Sequence, residues 1–423
     1  MTPLFKYAHL ADLHLGSWRE EKMRELSTKA FLQAMEKCIE LKVDFILFAG
    51  DIFNTSLPAV DTLKIVTKKL KELKDKDIPL YVIAGSHDFS PSGKTMIDVL
   101  EHAGLLSNVC KGTVEPQTGK LHLRFTQDQK TGAKITGILG KKGQLDKYYY
   151  EDLAREPLEQ ESGYKIFMFH TSISELKPKH LEQMEAQPAS FLPKGFQYYA
   201  GGHIHHRNEI DLPEYGLLTY PGALFPNNFA EVEKYGQGGF YVVTVQDKGN
   251  DKGNEKFIQS HEWLPVEVAK HQKLYLDCNN KVPEVIAFDI LNHFHNQDLH
   301  GSIITMRLAG TLSSGSASHI KWKEIFEQLY QQGAEVIMKN TAELHAEDFE
   351  EIHIAEAAPE VIEERILQEH LQQSNIFSKE KEFHLAVSLL SQMNTSKKEG
   401  ETLADFQQRI CSEAKKVMDF QNP

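Results

Sequence analysis

The sequence has few of the features that mark secreted, membrane-spanning or metal–thiolate proteins. Its 423 residues include only four cysteines, which lie far apart and show no CxxC spacing. We therefore expect reduced thiols and neither a disulfide framework nor a zinc–thiolate site. No apolar run approaches the roughly 20 residues that span a bilayer, and no basic stretch leads into an apolar one at the start of the chain. These absences predict a cytoplasmic protein without a membrane segment.

An excess of basic residues is also missing, because the formal net charge is −13. This balance argues against a protein coated in basic surface for nucleic acid. It does not exclude DNA as a ligand, since a local groove matters more than the sum and bound divalent cations would offset carboxylates. The length of 423 residues suggests two or three domains.

Five short segments carry carboxylates and imidazoles, and each follows an apolar run. The runs predict strands at 5–11, 44–49, 79–84, 166–169 and 197–200, of which 44–49 and 79–84 look buried, with amphipathic helices at 21–42 and 60–73. Because ligands of open α/β sheets bind beyond the carboxyl ends of the strands, we expect the segments to converge. The segments are Asp12-Leu13-His14, Gly50-Asp51, Gly85-Ser86-His87-Asp88, His170 and Gly202-His203-Ile204-His205.

This set of side chains predicts a binuclear metal site. Asp51 is the natural bridge, because one carboxylate supplies two oxygens between two cations. Two ions roughly 3.5–4 Å apart can activate a water and hold the phosphate oxygens during in-line displacement. Oxygen and imidazole ligands without thiolate favour manganese, iron or zinc. Singly, each segment is better explained as a capped strand end, and His170 as a core histidine; together and in this order they favour phosphoester hydrolysis.

The second half of the chain predicts further domains. Residues 236–245 look like the last strand of the first domain, and the polar, glycine-rich stretch 246–256 looks like a linker. A unit of about 90 residues follows, with helices predicted at 283–293 and 320–331 and strands at 302–308 and 334–338. The tail of the chain, from Pro359 onward, is predicted to be helical. A helical hairpin this small cannot bury its own apolar stripes, so it would need a partner. The predicted domains are 1–246, 257–345, a linker with a helix at 346–377, and a helical hairpin at 378–423.

The stretches around the five segments resemble the SbcD/Mre-eleven family of DNA double-strand-break repair nucleases, within the calcineurin-like metallophosphoesterase superfamily. They are AHLADLHLG, FAGDIFN, IAGSHDFSPSG, FHTSI, GGHIHHRNEI and TYPGALFPNNFAE. The resemblance implies a four-layer α/β/β/α sandwich, a small α/β capping domain and a C-terminal helical segment for a partner. It implies a manganese-dependent DNA exonuclease and endonuclease, a homodimer, and an SbcC/Rad-fifty-type ABC ATPase as partner. The short chain favours a prokaryotic, nucleoid-associated protein.

The resemblance also implies roles for single residues. It places Asp12, His14, Asp51 and His205 around one metal. Asp51, Ser86, His170 and His203 would surround the second. The catalytic imidazole would be His87, held by Asp88, and it would stabilise the phosphate or protonate the leaving oxygen. Candidate DNA contacts are Asn54 and Lys94, and candidate dimer contacts, with core packing as the alternative, are Leu63, Leu70, Ile97 and Leu100.

Two positions depart from the family pattern. Ser86 stands where the family usually has asparagine, and a hydroxyl is a weaker neutral ligand than an amide oxygen. Asn54 stands where the family often has histidine. Two alternatives therefore stay open: a metallophosphatase acting on a phosphoester other than DNA, and a scaffold subunit with weakened catalysis.

Overall fold

The structure, a computed structural model, describes residues 4–90, 95–141, 145–177, 185–251, 254–346, 378–393, 395, 397 and 401–418. Lys94 and most of the predicted linker and helix at 346–377 lie outside these residues. The chain divides into two compact units, 1–346 and 347–423. Each unit is described by itself.

Two six-stranded sheets form the centre of the first unit. The first sheet has the order β14-β13-β1-β2-β3-β4, and the second has the order β11-β12-β10-β9-β8-β7. The first sheet consists of β1 (Phe5–Leu10), β2 (Phe45–Ala49), β3 (Leu80–Ile83), β4 (Ser107–Asn108), β13 (Gly238–Asp251) and β14 (Asn254–Val266). The second consists of β7 (Thr126–Gln127), β8 (Lys134–Ile138), β9 (Lys165–His170), β10 (Tyr198–Gly202), β11 (Asn208–Leu212) and β12 (Gly216–Tyr220). A separate hairpin pairs β5 (Gly112–Val114) with β6 (Leu121–Leu123).

The central strands of both sheets run parallel and are buried on both faces. β2 reads FILFA and β9 reads KIFMFH, and every residue of both strands is buried. Near-continuous apolar runs of this kind are typical of parallel strands covered on two sides. The carboxyl ends of β1, β2 and β3 therefore lie at one edge of the first sheet, and those of β8, β9 and β10 lie at one edge of the second.

The helices of the first unit flank the sheets. α1 begins after Glu20, whose side chain accepts a hydrogen bond from the Met23 N–H at 2.7 Å. α3 begins with a capping box between Thr95 and Asp98. The helices are α1 (Glu21–Glu40), α2 (Val60–Asp75), α3 (Met96–His102), α4 (Lys147–Glu151), α5 (Glu156–Gln160), α6 (Phe229–Tyr235), α7 (Pro283–Phe294) and α8 (Trp322–Gln331).

Three apolar cores define four layers. In the first, α1, α2 and α3 pack on the outer face of the first sheet. The second lies between the sheets, where the rings of Tyr7 and Phe45 stack with centroids 4.9 Å apart. In the third, residues that include Tyr150 and Leu158 of α4 and α5 pack on the outer face of the second sheet. The expected α/β/β/α sandwich is thus confirmed.

A third, parallel sheet follows in sequence. It has the order β15-β16-β17 and consists of β15 (Lys270–Asp277), β16 (Ser302–Leu312) and β17 (Ala334–Ala346). Helices α7 and α8 cover it and share one core with it, which includes Ile286, Ile290 and Leu329. The structure therefore contains a small α/β unit as expected, and its capping role stays a prediction.

The stretch 246–256 is not a linker. β13 continues to Asp251 and pairs antiparallel with β14, which starts at Asn254 and ends at Val266. Glycine and polar residues are as typical of a hairpin turn as of a linker, so composition alone could not separate the two. The first sheet therefore extends to Val266, and the third sheet starts only at Lys270.

The described part of the second unit consists of two helices, α9 (Lys379–Met393) and α10 (Leu403–Met418), which contact each other. Thr402 begins α10, and its hydroxyl oxygen accepts a hydrogen bond from the Asp405 N–H at 3.2 Å. Helices are thus confirmed here, and their partner stays a prediction. Among the helices that the structure describes, none is long and apolar enough to cross a membrane.

Two further expectations about side chains can be compared with the structure. All four cysteines lie in the described ranges and are free thiols, as expected. Of the four candidate dimer contacts, Leu70, Ile97 and Leu100 are buried in the first core and Leu63 packs against it, so core packing is the correct alternative. The exposed apolar side chains of this region are instead Leu57, Val60, Ile65 and Val99.

Candidate metal centre

The loops that follow the central strands of both sheets meet at one place. Asp12 lies just beyond β1 and Asp51 just beyond β2, and the Asp12 N–H donates to the Gly50 carbonyl at 3.1 Å. His170 is the last residue of β9, paired in register with Gly202 of β10. Backbone pairing therefore brings residues that are far apart in sequence into one site.

Four of the converging residues have left-handed backbone conformations. The φ angles are +51° at Asp12, +41° at His14, +52° at Asp51 and +86° at His203. Residues other than glycine rarely adopt such angles, and each costs on the order of 1–3 kcal/mol. Such residues cluster at functional sites, where the surrounding structure holds them in place. The sequence alone does not reveal this strain, although aspartate and histidine are among the non-glycine residues that are enriched at positive φ.

The carboxylate and imidazole atoms lie within ligand distance of common points. Nε2 of His170 is 3.2 Å from Oδ2 of Asp51, and Nε2 of His14 is 3.6 Å from the same oxygen. Nε2 of His205 lies 3.1 Å from Nε2 of His14. In each of three groups, all atoms lie within 4.8 Å of one another: Asp12, His14 and His205; His14, Asp51 and His87; Asp12, Asp51 and His170.

One buried atom indicates that these residues fit a metal ion. Nε2 of His170 is buried and forms no hydrogen bond of good geometry, although Oδ2 of Asp51 is only 3.2 Å away; buried nitrogens in this state are rare. It faces the carboxylates of Asp12 and Asp51, the arrangement in which a divalent cation would satisfy all three groups. The donors are carboxylate oxygens and imidazole nitrogens, which suit a first-row divalent ion.

The cluster shifts the pKa values of its members in opposite directions. Burial opposes the charge on His170, but Asp51 and Asp12 outweigh it and raise the pKa of the imidazole to about 10. Burial and the neighbouring His205 lower the pKa of His14 to about 3. Burial also opposes ionisation of Asp51, yet His170 and His14 hold the pKa of that carboxyl well below its usual range. Asp51 is thus an anion at neutral pH, as a bridging ligand must be.

Glu231 belongs to the site and was missed by sequence reasoning. Its Oε1 lies 2.9 Å from Nδ1 of His205, and its Oε2 accepts from the Asn227 N–H at 2.8 Å. A carboxylate on the outer nitrogen fixes the ring and its tautomer, so that Nε2 points toward Asp12. The one available signal was its place at the end of the stretch TYPGALFPNNFAE.

Asp88 does not hold the His87 ring. Its carboxylate accepts hydrogen bonds from the N–H groups of Ile52, Phe53 and Gly85, at 3.1, 3.0 and 3.1 Å. Nδ1 of His87 instead lies 2.9 Å from the carbonyl oxygen of Asn54. Adjacency in sequence suggested the wrong partner, because residues 86–88 form a turn in which neighbouring side chains have different partners. Asp88 therefore ties the loop after β2 to the loop after β3.

The other predicted residues have varied surroundings. The Ser86 hydroxyl is 3.3 Å from Oδ2 of Asp51 and faces the cluster. His203 is an exposed residue. Its backbone N–H donates to Asp12 at 3.0 Å, and the centroid of its ring lies 5.4 Å from that of His170. The backbone of Asn54 contacts His87, while Lys94 lies outside the described residues. His9 is a core histidine, with Nδ1 3.0 Å from the Tyr198 hydroxyl.

Gly140 is a second residue that sequence reasoning missed. A methyl group placed on it would meet Cδ2 of His170 at 2.5 Å and the His170 carbonyl oxygen at 2.7 Å. Only glycine therefore lets the end of β8 approach the His170 ring. The segment after Ile138 reaches a glycine, as do those that lead to Asp51, Ser86 and His203, but it carries no metal-competent side chain that would have drawn attention to it.

Comparison with known proteins agrees with this geometry. The model of the calcineurin-like phosphoesterase family matches residues 5–207. The DNA double-strand break repair protein Mre11 of Archaeoglobus fulgidus is 26% identical over 370 residues, covering 81% of this chain and 78% of that protein. The Mre11 protein of Methanococcus maripaludis is 29% identical, covering 56% of this chain and 62% of that protein.

A further relative is the metallophosphoesterase YhaO of Bacillus subtilis, 25% identical over 61% of both chains. The matches thus span between 61 and 78% of the lengths of these three relatives. The matched family region, 5–207, contains every predicted ligand from Asp12 to His205. Residues 5–207 therefore form a calcineurin-like phosphoesterase domain, and this domain and the relatives together support an Mre11/SbcD-type, metal-dependent phosphodiesterase.

Proposed function

We propose that this protein is a manganese-dependent DNA nuclease with exonuclease and endonuclease activity, and the nuclease subunit of an ATPase complex in double-strand-break repair. The observation that carries the proposal is the convergence of oxygen and imidazole ligands from both sheets around Asp51. Such a site acts on phosphorus and its oxygens, and the relatives named Mre11 favour DNA as the substrate.

The ligands divide into two sets that share Asp51. Asp12, His14, Asp51 and His205 would hold one ion, and Asp51, Ser86, His170 and His203 the other. In support, the Nε2 atoms of His14 and His170 both lie near the same Asp51 oxygen, at 3.6 and 3.2 Å. Ser86 would be the weakest ligand, because a neutral hydroxyl donates less electron density than a carboxylate or imidazole.

Two bound divalent ions would supply an activated water and charge neutralisation on the phosphate. The protein's own part is to hold the ligands rigidly and to handle the leaving group. Nδ1 of His87 faces the Asn54 carbonyl, so Nε2 is the nitrogen left for the substrate. From there it would donate to a phosphate oxygen or protonate the leaving oxygen. Its ring centroid is 4.8 Å from that of His14, which places it beside the ligands.

The protein partners follow from surfaces outside the site. The helical hairpin of α9 and α10 would bind an SbcC/Rad-fifty-type ABC ATPase, since an amphipathic pair this small buries little apolar area by itself. The exposed Leu57, Val60, Ile65 and Val99 on and beside α2 and α3 would form a homodimer contact. Removing residues 378–423 should abolish binding of the ATPase and leave metal binding intact. Undiminished ATPase binding by the shortened chain would contradict this assignment.

The nuclease assignment is tested on linear double-stranded and hairpin DNA with manganese. The wild type should degrade both, and Asp51→Asn should reduce the rate at least 100-fold, because an amide cannot bridge two cations. Asp211→Asn is the matched control, since Asp211 is exposed on β11, and it should cleave as the wild type does. Hydrolysis of phosphotyrosine or cyclic AMP with none of DNA would favour a metallophosphatase, and failure to bind two metal equivalents would favour a scaffold.

A further inference from the structure

A second cavity adjoins the metal centre on the side of His205. We call it the flank pocket; its principal lining residues are His205, Arg207, Glu231, Lys234, Tyr235 and Trp263. Its volume is about 320 Å³, close to the lower limit of about 300 Å³ for small-molecule sites. A pocket of this size takes one nucleotide unit and excludes a duplex.

The pocket and the metal centre share a wall. Nε2 of His205 faces the ligand cluster, 3.9 Å from Asp12, while Nδ1 faces Glu231 at 2.9 Å. Both His205 and Glu231 also line the pocket. A strand whose phosphate lies at the metals would therefore extend its next nucleotide past His205 and into this cavity.

The far wall of the pocket is a fixed aromatic ring. Trp263 of β14 pairs with Tyr241 of β13, and its indole N–H donates to the Pro221 carbonyl at 2.9 Å. A methyl group on Gly239 would meet the indole at 2.4 Å, so glycine at this position lets the ring lie across β13. The ring is thus held in one orientation by a hydrogen bond and by its backbone neighbour.

The pocket combines cations with aromatic rings. The guanidinium carbon of Arg207 is 5.1 Å from the Trp263 ring centroid, and its Nε donates to the Tyr241 hydroxyl at 3.3 Å. Nζ of Lys234 lies 5.2 Å from the Tyr235 ring. Proteins bind single-stranded nucleic acid with this combination, in which bases stack on aromatic rings or guanidinium planes and cations face phosphates. The combination stands out in a chain with a net charge of −13.

We propose that the flank pocket binds the nucleotide next to the scissile phosphate, with its base on the Trp263–Arg207 stack and its phosphate near Arg207 and Lys234. The inference rests on the proposed nuclease function and adds a substrate position to it. The bound unit is a nucleoside phosphate, whether it is part of a strand or free as the released product.

The test is an abasic scan of a single-stranded oligonucleotide with manganese. Removing one base at a time on either side of the cleaved bond should reveal one position where the wild type loses roughly 5- to 100-fold in kcat/KM. On the intact strand, the kcat/KM of Trp263→Ala should be lower than that of the wild type by a similar factor. Removing the base at the sensitive position should lower the kcat/KM of this variant no further. Trp263→Phe should recover most of the wild-type kcat/KM. Arg207→Gln should make the slope of log affinity for the strand against log salt concentration shallower by about one.

Controls separate this pattern from misfolding and from failure of the nuclease assignment. Lys37→Gln removes an exposed charge on α1 and should behave as the wild type. Competitive inhibition by a deoxynucleoside monophosphate, weakened in Trp263→Ala, would show that the free product also binds. If the wild type cleaves DNA but Trp263→Ala still loses as much rate as the wild type at the sensitive abasic position, the pocket assignment is wrong. If the wild type hydrolyses bis(p-nitrophenyl) phosphate but no DNA, the nuclease assignment is wrong and the pocket assignment fails with it.

Discussion

Three imidazoles of the metal centre are fixed through the ring nitrogen that points away from the cluster. Nδ1 of His170 contacts the Ala49 carbonyl at 2.8 Å, that of His87 contacts the Asn54 carbonyl, and that of His205 contacts Glu231. Each contact leaves Nε2 facing inward. The sequence predicted the rings but not these partners, because two are backbone carbonyls, which carry no residue signature, and the third lies 26 residues away.

Glu231 should act on metal binding without touching the metal. Glu231→Gln keeps an acceptor for Nδ1 of His205 but removes the charge that makes the imidazole a stronger ligand. Loss of such a partner typically costs 10- to 100-fold in metal affinity. We expect a loss in that range by manganese titration calorimetry, with the melting temperature changed by only a few degrees.

The matched control for this prediction is Glu40→Gln. Glu40 is exposed at the end of α1, where it pairs with Lys37. Its substitution should leave manganese affinity unchanged. Equal affinities for Glu231→Gln and the wild type would show that the His205 ring is held without this carboxylate.

Gly140 should be intolerant of even one added carbon. In Gly140→Ala the new methyl group would lie 2.5 Å from Cδ2 of His170, so the ring or the end of β8 must shift. Overpacking of this kind costs about 1–3 kcal/mol, and a moved ring would also weaken the metal. We expect a lower free energy of unfolding in urea together with reduced manganese affinity. Gly119→Ala, on an open turn, is the control and should affect stability alone; a normal manganese affinity in Gly140→Ala would contradict the argument.

At the scale of elements, the strand ends were predictable and their assignment to sheets was not. The predicted strand at 5–11 is β1, and the run at 44–49 is β2, within a residue or two at each end. Both were visible because apolar runs stop at polar residues. A buried strand of one sheet has the same composition as a buried strand of the other, so sequence could not reveal that β9 and β10 belong to a second sheet.

Helix α6 connects the small α/β unit to the metal centre. Its Glu231 contacts His205. Two residues further along the helix, Glu233 accepts hydrogen bonds from Nε of Arg307 of β16 at 2.9 and 3.1 Å and from its Nη2 at 2.7 Å. The Arg307 guanidinium also lies 5.4 Å from the ring of Phe229, at the start of α6. One short helix thus carries contacts to both neighbours, which the sequence could not show because Arg307 is 74 residues from Glu233.

Removing this pair should loosen α6. Arg307→Gln abolishes the paired, charge-assisted hydrogen bonds, which are worth about 1–2 kcal/mol in this partly exposed position. We expect a lower free energy of unfolding and, because α6 also holds Glu231, a small decrease in manganese affinity. Lys321→Gln, in an exposed pair with Glu324, is the control and should change stability by less than about 0.5 kcal/mol. Identical unfolding curves for Arg307→Gln and the wild type would contradict this role.

At the scale of the whole molecule, the chemistry was more predictable than the domain limits. The ligand segments occur once each and in one order, so their common purpose could be inferred without any structure. The boundary after residue 246 depended only on composition, and β14 extends past it to Val266. Metal ligation demands particular side chains, whereas a hairpin turn and a linker accept the same ones.

Metal removal should destabilise the first unit as a whole. Asp12 and Asp51 are buried beside four histidines, and His14 and His205 present nitrogens 3.1 Å apart, so this cluster is costly without a cation to organise it. A ligand at 100 times its dissociation constant stabilises a fold by about 2.7 kcal/mol. We therefore expect EDTA to lower the melting temperature and manganese to restore it. Asp51→Asn should abolish most of this response, and Asp211→Asn should retain it; a melting temperature unaffected by EDTA in the wild type would mean that no bound cation contributes to the stability of the fold.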